Sequence, residues 1–120
     1  MVLVDTSVWV DHFRQGVSLL GDLLVSGRVV THPFVIGELA CGNLKNRKKI
    51  LSLLSNLPSL QMVSHAEALH LTESRSLGGS GIGWIDVHLL ASASLNHVTL
   101  WTRDRRLQTV ASRLGIAGKE

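Results

Sequence analysis

Four acidic residues stand in settings that invite chemistry. Asp5 directly follows the apolar run Val2-Leu3-Val4, and two residues separate Asp104 from the run that ends at Trp101. Glu38 and Asp86 are each the lone charge in an apolar stretch, VIGELAC and WIDVHLLASA. A carboxylate on a mostly buried helix is costly unless something pairs with it. No Lys or Arg lies within one helical turn of either. A divalent cation is the natural partner, and hard carboxylate oxygens suit Mg²⁺ or Mn²⁺. If the four acids gather, the rest of the chain sets twelve basic against five acidic side chains. A basic body around one acidic hole has the electrostatics that metal-dependent phosphodiester chemistry needs. Each acid also has an ordinary reading. Asp104 can cap the helix that follows it, Asp86 can answer a helix dipole, Asp5 can cap a helix near Ser7, and Glu38 can pair with a distant Arg. The ordinary account weakens because it must hold at all four positions at once.

The elements that position these residues can be read along the chain. Val2-Leu3-Val4 predicts a buried strand, with helices over 7–13 and Ser18–Val25. Arg28–Thr31 reads as a second strand, followed by helices over Phe34–Cys41 and Asn43–Leu57. Leu60–Val63 reads as a third strand and His65–Leu77 as a helix. Gly78, Gly79, Gly81 and Gly83 then mark a turned loop. Trp84–Leu95 is apolar nearly all round, as in a helix buried on most sides. Val98–Trp101 reads as a fourth strand, Asp104–Leu114 as the last helix, and Gly115–Ala117 as the stub of a fifth strand. Strands alternating with helices imply parallel pairing through right-handed crossovers, hence an α/β class with helices on both faces. In such a sheet, ligands bind beyond the carboxyl ends of the strands, where Asp5 and Asp104 fall.

Composition narrows the alternatives. A chain of 120 residues predicts one domain over 1–120. A single cysteine, Cys41, excludes an intramolecular disulfide and favours a reducing compartment. The N-terminus lacks a basic segment, and no apolar run is long enough to span a bilayer, so a cytoplasmic protein is expected. Twelve Lys and Arg against nine Asp and Glu hint at a polyanionic partner. Lys45, Arg47, Lys48 and Lys49 form one basic run, and Arg103, Arg105 and Arg106 another. Either run can be a solvated helix face. Arg103 and Arg105 flank Asp104, however, where they could grip phosphates. Six scattered histidines form no HExxH pattern, so a zinc site has little support. Ser7 has no nucleophile-elbow context, and the glycine loop lacks the Lys-Ser or Lys-Thr of a P-loop. Trp9, Trp84 and Trp101 read as core or interface anchors before base-stacking platforms.

The segments VLVDTSVWVD, GEL, GWIDVHLLASA and LWTRDRRL, taken in order, resemble a PIN domain, and more narrowly the VapC-type toxin ribonucleases of bacterial toxin–antitoxin pairs. The resemblance covers essentially the whole chain. It implies a PIN-like three-layer α/β/α fold with a four- to five-stranded, mainly parallel sheet. It also implies that Asp5, Glu38, Asp86 and Asp104 hold one or two Mg²⁺ or Mn²⁺ ions, whose activated water cleaves RNA. Ser7 and Thr102 match positions that support Asp5 or a metal-bound water. A homodimer and a cognate antitoxin blocking the acidic cleft are implied as partners. The chain departs from the pattern in its short fifth strand and in having no fifth acid in the helix after Asp104. Two rivals remain. A signalling receiver needs an acceptor Asp after the third strand, and LQMVSH supplies none. A catalytically silent PIN-like binding module is separated only by assay, and DNA cleavage stays open.

Overall fold

The computed structural model describes residues 1–118. Strand β1 (Val2–Val4) leads into helices α1 (Thr6–Gln15) and α2 (Ser18–Val25). Strand β2 (Val29–Val30) is followed by α3 (Pro33–Cys41), α4 (Arg47–Ser55), α5 (His65–Ser74) and α6 (Trp84–Leu95). Strand β3 (Thr99–Trp101) and α7 (Arg105–Arg113) complete the order. The sheet runs β2-β1-β3 with both pairings parallel, and Val2 faces Val29 on one side and Thr99 on the other. All three residues of β1 are buried, as a central parallel strand covered on both faces requires. Leu3, Val4, Leu20, Val35, Leu89, Leu90, Leu100 and Trp101 build the centre of the core.

The sheet is smaller than its sequence suggests. Leu60–Val63 forms no strand. Chain pairing there stops at one parallel bridge, Thr31 with Ser59, and a hydrogen bond from Leu60 N to Thr31 O of 2.8 Å. The reason lies in the partner. β2 ends after two residues because Thr31 leads directly into His32-Pro33 and α3, so nothing remains to pair with. Gln61 O instead accepts from Ser92 Oγ at 3.1 Å, and Gln61 and Met62 stay exposed. At the opposite edge, the expected fifth strand is a single bridge, Leu100 with Ala117. Three strands, with one bridge beyond each edge, therefore replace four to five.

Helix boundaries follow local chemistry. α4 starts at Arg47, not Asn43, because Asn46 takes a left-handed backbone with φ 53°. The Arg47 guanidinium reaches back to the carbonyls of Ala40 and Gly42, which α3 leaves unsatisfied at its end. α5 opens on a reciprocal cap: Ser64 N donates to Glu67 Oε1 at 2.8 Å and Glu67 N donates to Ser64 Oγ at 3.1 Å. In α6 every residue from Val87 to Ala93 is buried, including His88 and Ser92. Its apolar sequence is that of a helix packed on most sides. α7 buries Leu107, Val110 and Ala111 and turns its arginines outward. Among the described residues no helix is long and apolar enough to cross a membrane.

Candidate functional site

Parallel pairing places the ends of β1 and β3 side by side, with Val4 opposite Trp101 and Asp5 N donating to Trp101 O at 2.9 Å. The next residues of both strands, Asp5 and Thr102, therefore meet. Asp5 is buried, with 6% of its surface exposed. Its Oδ2 accepts from Ser7 Oγ at 2.7 Å and from Thr102 Oγ1 at 2.8 Å. With both hydroxyl protons committed to the carboxylate, the 3.3 Å approach between Ser7 Oγ and Thr102 Oγ1 is a contact of oxygens. Each hydroxyl also accepts a main-chain bond at 3.0 Å, Ser7 from Arg103 N and Thr102 from Asp104 N. The turn that presents Asp104 is thus tied to the two groups that fix Asp5. Although Asp5 occupies the cap position of α1, its side chain makes no capping bond.

The other three acids come from helix termini and from one helix interior. Asp104 caps α7, with Oδ1 accepting from Leu107 N at 3.0 Å. Asp86, in the first turn of α6, accepts from Gly83 N on Oδ2 at 3.0 Å. Glu38, in mid α3, accepts from Thr6 Oγ1 on Oε1 at 2.7 Å. Thr6 was not singled out from sequence; its place beside Asp5 in DTS is the only signal. The ordinary readings of Asp104 and Asp86 thus hold geometrically, whereas Asp5 does not cap and Glu38 meets a hydroxyl in place of an Arg. In every case one carboxylate oxygen is used locally, and the other has no hydrogen bond among the described residues.

Electrostatics joins the four. The Asp86 carboxyl is pushed above its usual range, chiefly by burial, against the opposing pull of the Gly83 N–H. The negative charges of Asp5, Asp104 and Glu38 push it further in the same direction. Asp86 therefore lies within the field of all three. As the side chains stand, no group of three or more His, Cys, Asp or Glu among the described residues is close enough to hold a metal ion. Each carboxylate is turned instead to its local donor, Thr6 for Glu38, Ser7 and Thr102 for Asp5, Gly83 N for Asp86 and Leu107 N for Asp104. By donor chemistry they still fit a hard dication, since four carboxylates each keep one oxygen unengaged and no Lys or Arg among the described residues makes an ion pair with any of them.

Around this centre, Arg103 Nη1 pairs with Asp11 Oδ2 at 2.9 Å across a partly exposed surface, and Arg105 is exposed. A groove of about 630 Å³ runs away from Glu38 past Thr6, Phe13, Arg14 and Lys45. Trp9 and Trp101 are core residues, but Trp84 is 41% exposed. Behind it, rings follow one another inward, His65 to Trp84 to His88 to Phe34 to His32, with centroids 5.0–5.2 Å apart. His32 Nδ1 accepts from Phe34 N at 2.9 Å and caps α3, while Nε2 is buried and has no partner among the described residues. Burial, with the neighbouring His88, lowers the His32 pKa to about 4.

The PIN domain family profile matches residues 2–113. Over 118 residues the chain is 44% identical to proteins named Ribonuclease VapC32 from two strains of Mycobacterium tuberculosis, CDC 1551 / Oshkosh and ATCC 25618 / H37Rv, covering 98% of this chain and 95% of each relative. A solved structure of FitAB bound to an IR36 DNA fragment superposes with a TM-score of 0.65 at 20% identity, over 93% of this chain and 91% of that one. PAE2754 from Pyrobaculum aerophilum gives a TM-score of 0.61 at 17% identity, over 95% and 88%. Acids at the ends of parallel strands, the order of the motifs and these matches agree, and the chain belongs to the PIN domain family.

Proposed function

We propose that this chain is a Mg²⁺- or Mn²⁺-dependent endoribonuclease, a toxin held in check by a cognate antitoxin in the cytoplasm. The observation that carries the reading is that the ends of β1 and β3 bring Asp5 beside Thr102, whose hydroxyl also binds Asp104 N, in a chain 44% identical to a named ribonuclease. When bound, a divalent ion would supply activated water and neutralise charge at the scissile phosphate. The chain's own residues do the rest. Asp5, Glu38, Asp86 and Asp104 would hold the ion. Ser7 and Thr102 fix one oxygen of Asp5 so that the other is presented in one orientation. Arg103 and Arg105 add positive potential where a polyanion approaches.

The groove beside Glu38 suits an extended antitoxin segment, and an Arg from it would meet four carboxylates. A second copy of the chain would cover the exposed Leu69 and Leu95 on α5 and α6. The test is cleavage of a structured RNA in Mn²⁺. Activity that disappears with EDTA and in Asp5→Asn is expected, and a DNA control reports whether the substrate class is wider. A silent binding module is the second reading, favoured by carboxylates that do not close around an ion as they stand. RNA that the wild type binds yet leaves intact under all these conditions would support it.

A further inference from the structure

The glycine loop between α5 and α6 is shaped around an arginine. Gly81 has φ +86°, a backbone that side chains disfavour, and a methyl group there would lie 2.8 Å from Arg106 Cδ and 3.2 Å from both Nε and Nη1. Arg106 therefore leaves the first turn of α7, two residues beyond Asp104, and lies across the loop two residues before Gly83, whose N–H binds Asp86. Its guanidinium spans the rims of the two elements that carry Asp86 and Asp104. The residue is exposed, and among the described residues Arg106 makes no hydrogen bond or ion pair. Arg103 pairs with Asp11.

We infer that Arg106, seated on Gly81, is the residue that grips a backbone phosphate of the RNA strand as it enters the acidic centre. The inference rests on the nuclease reading and deepens it. A guanidinium presents paired donors to phosphate oxygens, and packing against the glycine fixes its direction before substrate arrives, so less side-chain freedom is lost on binding. A β-carbon at position 81 would meet the Arg106 side chain, which would then have to shift away from the loop.

The experiment compares wild type with Arg106→Ala, Arg106→Lys, Arg105→Ala, Gly81→Ala and the Gly81→Ala/Arg106→Ala double variant. KM and kcat are measured on a fluorescent RNA hairpin in Mn²⁺ at several salt concentrations, with Tm as the folding control. Arg106→Ala should raise KM about tenfold, the worth of one charge-assisted hydrogen bond, with little change in kcat. The slope of log kcat/KM against log salt should become shallower by about 0.7, one single-strand phosphate contact. Arg106→Lys should recover part of the loss, and Arg105→Ala should cost less. Gly81→Ala should reproduce the KM defect, and the double variant should be no worse than Arg106→Ala in KM, whatever strain it adds to Tm.

An Arg106→Ala protein with wild-type Tm, KM and salt slope overturns the inference, as do KM effects of Gly81 and Arg106 that simply add. Hairpin anisotropy in EDTA separates the two levels. A wild type that binds RNA without cleaving it refutes the nuclease reading alone, and Arg106 is then judged by its salt slope in binding. One that neither binds nor cleaves refutes both.

Discussion

At the residue scale, the site depends on how two hydroxyls hold one carboxylate. Removing either should leave the fold intact and loosen Asp5. Ser7→Ala and Thr102→Val are each expected to lower Mn²⁺ affinity and activity by about 10–100-fold, the usual cost of losing a ligand's supporting bond. Mn²⁺ titration followed by Tm checks this, and a loss of activity without a change in Mn²⁺ affinity would point elsewhere. His32 makes a separate prediction. Its pKa falls from 6.5 to about 4 on folding, so the unfolded chain binds the extra proton first as pH drops. Its contribution is complete above pH 6.5 and is lost as pH falls through that value towards 4. His32→Asn keeps an acceptor for Phe34 N and removes the titration. Urea midpoints from pH 4 to 7 should therefore fall less steeply in the variant than in wild type. As candidates, Glu38 and Asp86 were legible in sequence as lone charges in apolar runs, and Asp5 and Asp104 as acids just beyond apolar runs that read as strands. Thr6 and Arg106 were not, since a hydroxyl beside Asp5 and one arginine among three carry no periodic signal, and only the fold shows what they touch.

At the element scale, α7 and α6 start on residues with two duties. Asp104 caps α7 through Leu107 N and is also a proposed ligand. Asn serves as a cap nearly as well as Asp, whereas Ala does not. Asp104→Asn should keep Tm within a degree or two of wild type while cutting Mn²⁺-dependent cleavage at least a hundredfold, roughly the scale of losing a metal-bound charge. Asp104→Ala should cost a further 1 kcal/mol or so in stability. Comparable activity in Asp104→Asn and wild type would leave Asp104 a cap only. Most helices were read from sequence because glycines mark several of their ends and α6 is apolar throughout, whereas the Ser64–Glu67 cap of α5 was not read. The strand expected at Leu60–Val63 failed because a strand's existence depends on a partner. β2 is two residues long and its extension ends at Thr31, a limit set by the distant His32-Pro33 turn and invisible in the apolar run itself. The same holds for Ala117, which finds only Leu100.

At the scale of the whole molecule, the fold gathers negative charge at one end of a short parallel sheet in an otherwise basic chain. Close carboxylates without a counterion oppose folding near neutral pH, and a cation that binds only the folded chain offsets this. Mn²⁺ at a hundred times its dissociation constant should stabilise wild type by about 2.7 kcal/mol, a rise of several degrees in Tm, and barely move Asp5→Asn. Equal shifts in both would deny Asp5 a part in binding. The most direct test is a crystal of the full chain soaked in Mn²⁺ and measured at the manganese absorption edge. The account predicts an anomalous peak bounded by the carboxylates of Asp5, Glu38, Asp86 and Asp104, with Asp5 still held by Ser7 and Thr102. The same four side chains turned to their local donors, with no anomalous density between them, would contradict it.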